Sequence, residues 1–252
     1  MRFPHLFEFM DLDWLPSSLR ATLREILECG NSKPFRSYYD WVAHEVLSAT
    51  RKIGAHQVVE LGAGTAPITR HMARDPRSDG LRLVVCDRNP SLADYAALAE
   101  KFPGKIHAIQ ESVNFAVPRR WEPGTLLVLS ATLHHIPSAD RPRVIASLTE
   151  SAEHVAVFEP LRKSILSILF VFLSTVPALL LPALFIQRSG QLRRILWCWI
   201  LPLAPLMFWW DGIVSCLRQW TEAQWGDALS TQPERQNPPT IKSWLFCQQA
   251  TW

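Results

Sequence analysis

Paired cysteines are missing from this sequence. Its five cysteines, Cys29, Cys86, Cys198, Cys216 and Cys247, are odd in number, and no two stand in a Cys-x-x-Cys spacing. The spacing excludes a zinc ribbon and argues against a disulfide framework, so a reducing compartment and no metal site are expected. Charge is sparse as well: 19% of the 252 residues are charged, against 48% hydrophobic. That composition excludes a disordered chain. A net charge of +3 is too small to point to nucleic acid. Acidic residues are absent from Pro160 to Trp210, where Arg162, Lys163, Arg188, Arg193 and Arg194 give +5 against −2 for the rest. The opening Met1-Arg-Phe-Pro-His5 soon meets Glu8, Asp11 and Asp13, which does not make a secretory leader core. A position on the cytoplasmic side is therefore expected.

What is present divides into four stretches. Residues 1–54 read as a helical cover. Leu19, Leu23, Ile26 and Leu27 follow helical spacing before Gly30, and a second helix starts near Pro34 and runs to Thr50. Residues 55–160 alternate short apolar runs with amphipathic segments. Strands are predicted at Val58–Leu61, Leu81–Cys86, Lys105–Ile109, Thr125–Leu129 and Val155–Phe158, with helices between most of them. This spacing predicts an α/β fold: a mostly parallel, doubly wound, Rossmann-like sheet covered on both faces. Residues 161–218 form an apolar insertion, either membrane-associating or a soluble lid packed over the pocket. Residues 219–252 would complete the core, with an irregular stretch over 231–239 and a last strand near Trp244-Leu-Phe-Cys247.

The sharpest motif is Val58-Val-Glu-Leu-Gly-Ala-Gly-Thr65, a strand that runs into a glycine turn and then a helix. Glycine lets the backbone turn tightly and approach a ligand without a Cβ in the way. Twenty-three residues beyond Gly64, at the end of the next strand, stands Asp87, placed to accept from ribose hydroxyls. A dinucleotide fold asks for a third glycine where this chain has Pro67, and no Tyr-x-x-x-Lys pair is present. A nicotinamide oxidoreductase is therefore disfavoured.

In these residues the sequence resembles the class I S-adenosylmethionine-dependent methyltransferases. Glu60-Leu-Gly-Ala-Gly64 is similar to their first motif and Val84-Val-Cys-Asp87 to their acidic second-strand end. Leu127-Val-Leu-Ser-Ala-Thr-Leu-His-His-Ile-Pro137 is similar to their fourth-strand motif, and Val157-Phe-Glu-Pro160 to the end of their fifth strand. Asp13-Trp-Leu-Pro16 and Trp210-Asp-Gly-Ile-Val-Ser-Cys-Leu-Arg218 extend the resemblance to a subgroup with an apolar insertion after strand five. The resemblance implies S-adenosylmethionine as cofactor and methyl transfer by in-line displacement. Gly62, Ala63 and Gly64 would take the methionine part of the cofactor, with Glu60 in support. Asp87 would hold the ribose, Arg88 would cover the adenine, and Glu111 and Ser112 would meet its edge. Ser130 and Ala131 would lie beside the sulfonium. His134, His135 and Glu159 are the candidates for a catalytic base. Adjacent histidines are expected to point apart, which argues against joint metal ligation.

The insertion has 24 uncharged residues over 164–187 and 16 over 195–210, broken by Pro177, Pro182, Pro202 and Pro205. The first is long enough to span a bilayer as a transmembrane helix, which needs roughly 20 residues. The basic link between the two stretches runs against the positive-inside rule. A hairpin that dips into the cytoplasmic leaflet is therefore expected, with its arginines at anionic headgroups and Trp197, Trp199, Trp209 and Trp210 at the interface. Membrane lipid through 164–210 and a small, hydrophobic acceptor are the expected partners, with no nucleic acid. The alternative is a non-catalytic membrane-surface protein that retains the fold. It is motivated by a tail of only 22 residues after Ser230, where the family closes its sheet with two further strands.

Overall fold

The computed structural model describes residues 6–30, 37–184, 189–232, 239–243 and 247–252. Pro34, Arg188 and Trp244–Phe246, on which sequence expectations fall, lie outside the described residues. The chain opens with α1 (Ser17–Gly30) and α2 (Ser37–Ile53), then alternates β1 (Gln57–Leu61), α3 (Pro67–Ala73), β2 (Arg82–Cys86), α4 (Leu92–Lys101) and β3 (Ile106–Ala108). There follow β4 (Thr125–Ser130), α5 (Arg141–Ser151) and β5 (His154–Glu159), then α6 (Ile165–Leu184), α7 (Gln191–Ile195) and α8 (Leu203–Arg218). The chain closes with α9 (Glu222–Ser230), β6 (Thr240–Ser243) and β7 (Gln248–Thr251). Packing divides it into two compact units, Met1–Arg36 with Leu161–Gln219, and Ser37–Pro160 with Trp220–Trp252.

The second unit is a seven-stranded sheet in the order β3-β2-β1-β4-β5-β7-β6. The first five strands are parallel, and β7 runs antiparallel to both β5 and β6. Strands buried on both faces need unbroken apolar runs, and β1 is buried at all five positions. Alternate side chains build two separate cores. Val58, Leu83, Val85, Leu126 and Val128 meet Val42, Val46 and Leu47 of α2 on one face. Val59, Val84, Leu127 and Leu129 meet Ile145, Leu148, Trp225 and Leu229 of α5 and α9 on the other.

The tail does complete the sheet, which corrects the doubt raised by its short length. Ala250 of β7 is fully buried. Trp225 donates its indole N–H to Gln248 Oε1 at 3.0 Å, and Trp252 donates to Thr149 Oγ1 at 2.9 Å. The reciprocal cap of Thr221 and Gln224 starts α9 directly after the insertion, so few residues are spent on the return.

The expectation of one N-terminal cover over 1–54 is also corrected. The apolar stripe of α2 lies on the sheet, while Leu19, Leu23 and Ile26 of α1 pack with Cys198 and Ala204 in the other unit. Leu27, predicted to join that stripe, is exposed.

In this first unit the apolar helices are tied together by charge. Glu25 accepts from Arg193 Nη2 at 2.6 Å and from Arg194 Nε at 2.9 Å, and Arg194 is only 2% exposed. These two arginines therefore serve the interior of the unit, where the sequence placed them at lipid headgroups. Asp211 caps the short 3-10 turn Phe9–Asp11, accepting from Phe9 N–H at 2.7 Å and Met10 N–H at 3.2 Å. Burial pushes its carboxyl up to about 6. Arg218 pairs with Glu8 at 2.9 Å. Gly212 lets α8 close on α6, since a Cβ there would lie 2.6 Å from Val171 Cγ1. A π turn over Leu196–Ile200 and a break before α8 bend the pair Gln191–Ile200 and Leu203–Arg218 by 70°. Among the described residues no single helix is long and apolar enough to cross a membrane; that pair meets the measure only together and bent. Of the four tryptophans assigned to an interface, Trp197 packs on the interior cluster and Trp210 donates to Phe7 O at 3.0 Å, whereas Trp199 is exposed.

Removing one partner of a buried pair strands the other charge, a loss of about 3 kcal/mol or more. Glu25→Ala should lower stability by that amount in urea denaturation. Glu25→Gln combined with Arg194→Met should recover part of it, because the fully buried guanidinium is gone and the partly exposed Arg193 keeps contact with water.

Candidate active site

The site is assembled where the parallel strands end. Next to the last residue of β1 is Glu60, 2% exposed, whose Oε2 accepts the Thr69 N–H of α3 at 2.8 Å. Burial raises its carboxyl to about 7, although hydrogen bonds from Thr69 and Ile68 pull it down. Glu60 thus supports the turn from beneath. Above it the chain turns left-handed at Gly62 (φ +64°), Gly64 (φ +53°) and Ala66 (φ +54°), with Ala63 N–H bonded to Cys86 O at 3.1 Å between the two glycines. A Cβ on Gly62 would lie 2.8 Å from Thr132 Cγ2, whereas nothing lies within 4 Å of the Cβ position of Gly64. The turn is therefore closed on the Thr132 side and open above Gly64.

Asp87, just past β2, is drawn into the same turn. Its Oδ2 accepts Gly64 N–H at 2.9 Å and its Oδ1 accepts Asn89 N–H at 2.8 Å. A carboxylate has about four lone-pair sites, so each oxygen keeps room for a further donor. The loop after β3 is stitched to this one: Val113 N–H donates to Asp87 O at 2.9 Å, and the Ser112 hydroxyl donates to Arg88 O at 2.6 Å. Arg88 is exposed. Glu111 pairs with Arg119 at 3.0 Å.

At the end of β4, Ser130 Oγ shares a hydrogen bond of 2.9 Å with the hydroxyl of Tyr38, which also donates to Phe158 O at 3.3 Å. Burial pushes the Tyr38 phenol well above its ordinary pKa, so it stays neutral and can donate. Ala131 follows at φ +52°. Among the described residues Ala66 and Ala131 are the non-glycine residues with positive φ. Each conformation costs about 1–2 kcal/mol, and both fall beside this site. Thr132 Oγ1 donates to Ser130 O at 2.8 Å, which places its methyl against Gly62.

One step further, Glu159 at the end of β5 is 1% exposed and accepts the Leu133 N–H at 2.9 Å. Its other oxygen lies 2.6 Å from His134 Nδ1. A carboxylate only accepts, so His134 donates from Nδ1 and its Nε2 is the ring nitrogen not held by Glu159. Arg141, buried to 1% and 5.5 Å over the Trp220 ring, fixes the loop by donating to Ile136 O at 2.8 Å and His134 O at 3.1 Å. The two histidine rings do not point apart. They sit on a 3-10 turn, Leu133–His135, with centroids 4.2 Å apart. Successive side chains on such a turn differ by about 120°, less than the 180° of a strand.

The structure therefore gathers Glu60, Gly62, Ala63, Gly64 and Asp87 into one cluster, joins Ser130 and Ala131 to it through Thr132, and sets His134 with Glu159 beside them. Tyr38, Thr132 and Arg141 were not singled out from the sequence. Tyr38 is 92 residues from its partner Ser130, and no local pattern links them. A cleft of about 690 Å³ lies elsewhere, lined by Gln57, Arg82, Ala99, His107 and Trp121 among others. It contains none of the predicted site residues. Gln57 and Arg82 begin their strands, whereas ligands of such sheets meet the carboxyl ends.

Two outcomes test this geometry. Gly62→Ala adds left-handed strain and a steric conflict, and should cost about 2 kcal/mol or more in thermal unfolding; Thr132→Ser, which removes the opposing methyl, should recover part of it. Glu60 has a folded pKa of about 7 against an ordinary 4.5. Its contribution to stability is therefore full below about 4.5 and lost as pH rises through 7. Glu60→Gln keeps the acceptor for Thr69 and should flatten that window, removing a pH-dependent change of up to about 3 kcal/mol in a series of melting curves.

No family model matches the sequence, and no curated protein matches it. Solved structures match by fold. Magnesium protoporphyrin IX methyltransferase from Synechocystis PCC 6803, with bound SAH, is 12% identical over 95% of both chains with a TM-score of 0.56. The plantazolicin methyltransferase in complex with SAH is 10% identical over 93% of both chains, TM-score 0.57. A SAM-dependent methyltransferase from Aquifex aeolicus is 9% identical over 91% of this chain and 96% of its own, TM-score 0.51. At such identities the likeness speaks for the fold, and with the strand order it establishes that fold as the Rossmann-like fold of the class I S-adenosylmethionine-dependent methyltransferases.

Proposed function

We propose that this chain binds S-adenosylmethionine at the carboxyl ends of β1 and β2 and transfers its methyl group to a small, hydrophobic acceptor. The observation that carries the reading is the joint of Gly64 N–H and Asp87 Oδ2 at 2.9 Å. It holds an acid with spare acceptor capacity against a glycine turn that is open above Gly64. Gly62, Ala63 and Gly64 fit the methionine end, Asp87 the two ribose hydroxyls, and Arg88 the adenine face. Ser112, tied to the Arg88 carbonyl, and Glu111 border the adenine edge. Ser130 and Ala131 line the place of the sulfonium.

When bound, the cofactor supplies a methyl group on a positively charged sulfur, already activated toward a nucleophile. The protein's share is alignment and exclusion of water, which in well-oriented systems is worth about 7–11 kcal/mol. His134 is the residue we assign to take a proton from the acceptor at Nε2, because Glu159 holds the tautomer that leaves this nitrogen basic. Tyr38 and Thr132 act as positioning residues for the Ser130–Ala131 segment.

Calorimetric titration with S-adenosylmethionine tests the reading. The wild type should bind, and Asp87→Ala should lose at least about tenfold in affinity, since two charge-assisted hydrogen bonds go. His134→Ala should bind normally yet release S-adenosylhomocysteine about 10²–10⁴ times more slowly with an acceptor that must lose a proton. A folded wild type that binds no S-adenosylmethionine would overturn the proposal. Binding without turnover on any apolar acceptor would leave a non-catalytic binding protein.

A further inference from the structure

Large apolar side chains are exposed very unevenly. Twenty-one are exposed among the described residues, and all but Leu92 and Val117 belong to the helical unit of α1 and α6–α8. On α6 the exposed set includes Ile165 (78%), Phe172 (62%) and Leu173 (67%), and a second set follows on the bent segment, with Trp199 (52%) and Ile200 (66%). A soluble monomer's largest apolar patch is normally a few hundred Å². An apolar surface continued over two helices needs a partner.

We infer that this surface docks into one leaflet of an anionic lipid bilayer. Three observations favour lipid over a protein partner. First, the hydroxyls of α6 up to Val176 are hydrogen-bonded to their own stretch of chain. Ser167 is fully buried and accepts Arg162 N–H at 3.1 Å, while Ser174 and Thr175 donate to Val171 O at 2.7 and 3.1 Å. A protein interface carries about one hydrogen bond per 100–200 Å², and the described hydroxyls of this helix are already bonded within the chain; hydrocarbon asks for no partner. Second, the irregular backbone closes on itself as immersion requires. Leu201 N–H donates to Leu196 O at 2.7 Å across the π turn, Leu203 N–H donates to Leu201 O at 2.6 Å, and the exposed Trp199 spends its indole N–H on Leu179 O at 2.7 Å. Third, Arg162 and Lys163 stand at the start of α6 and no acid occurs from Pro160 to Trp210, which suits anionic headgroups. The 70° bend of the pair Gln191–Ile200 and Leu203–Arg218 suits a surface that rests in one leaflet.

The inference stands apart from methyl transfer, and its test keeps the two separate. The full chain is floated with vesicles of phosphatidylcholine, with and without phosphatidylglycerol, and S-adenosylmethionine binding is measured on the same preparations. The wild type should float with both, more strongly with phosphatidylglycerol at low salt. Leu169→Glu with Leu173→Glu should reduce the partition at least about tenfold and leave cofactor binding unchanged. Val117→Glu on the sheet unit should change neither. A wild type that stays at the bottom of the gradient, or runs as a discrete dimer that the α6 variant dissociates, would overturn the inference and make the face a contact between copies.

Discussion

Where β1 ends, the backbone must pass within van der Waals reach of the Thr132 methyl while turning left-handed, and only a residue without a Cβ can do both. Much of the site follows from this contact at Gly62. It ties the end of β1 to the loop after β4, so the turn and the Ser130–Thr132 segment cannot move independently. Glu60 works from below. Its carboxylate receives the first N–H groups of α3, and a position with almost no water access keeps that helix start in register with the strand. Asp87 works from the side, bonded to the second glycine. The turn is thus held from three directions before any ligand arrives, which is what preorganisation means in residue terms.

The His134–Glu159 pair extends the same logic to the proposed acceptor side. A histidine on a loop normally samples several rotamers. Here Glu159 on a central strand holds one ring nitrogen, and the buried guanidinium of Arg141 holds the carbonyl of the same residue. Arg141 in turn lies over Trp220, the first residue of the chain's return to the sheet after the insertion. The segment after Gln219 therefore supports the loop after β4 as well as supplying α9 and the last two strands.

Sequence pattern carried the central architecture because its signals are local. β1 to β5 are short apolar runs, and the glycine turn with its spaced acid lies within 30 residues of chain. What was not legible depends on distant or polar partners. Tyr38 meets Ser130 only because α2 lies across the sheet, and its helical pattern says nothing about its hydroxyl. β6 alternates between exposed and half-buried residues, and β7 reads Gln-Gln-Ala-Thr, so neither has the β-branched run that marks a strand. Their pairing is fixed by the edge of β5 and by Trp225 and Trp252. The basic residues of the insertion misled for a related reason: Glu25, the partner of Arg193 and Arg194, lies more than 160 positions away.

The helical unit reverses the usual distribution of polarity. Arg194, Arg218, Glu8 and Asp211 are inside it, paired or capping backbone N–H groups, while leucine, isoleucine and phenylalanine face outward along α6. In water this arrangement has little to recommend it. Each buried charge sacrifices several kcal/mol of hydration, and every exposed leucine forgoes the gain of burial. Beside hydrocarbon the balance changes sign. A charge pointed outward would be costlier than one paired within, and the outward leucines rest in a medium as apolar as themselves. The membrane docking inferred above would thus account for both halves of this distribution. The ion pairs can then do what apolar contacts cannot do when both sides of a helix are greasy, which is to specify which face of α6, α7 and α8 turns inward.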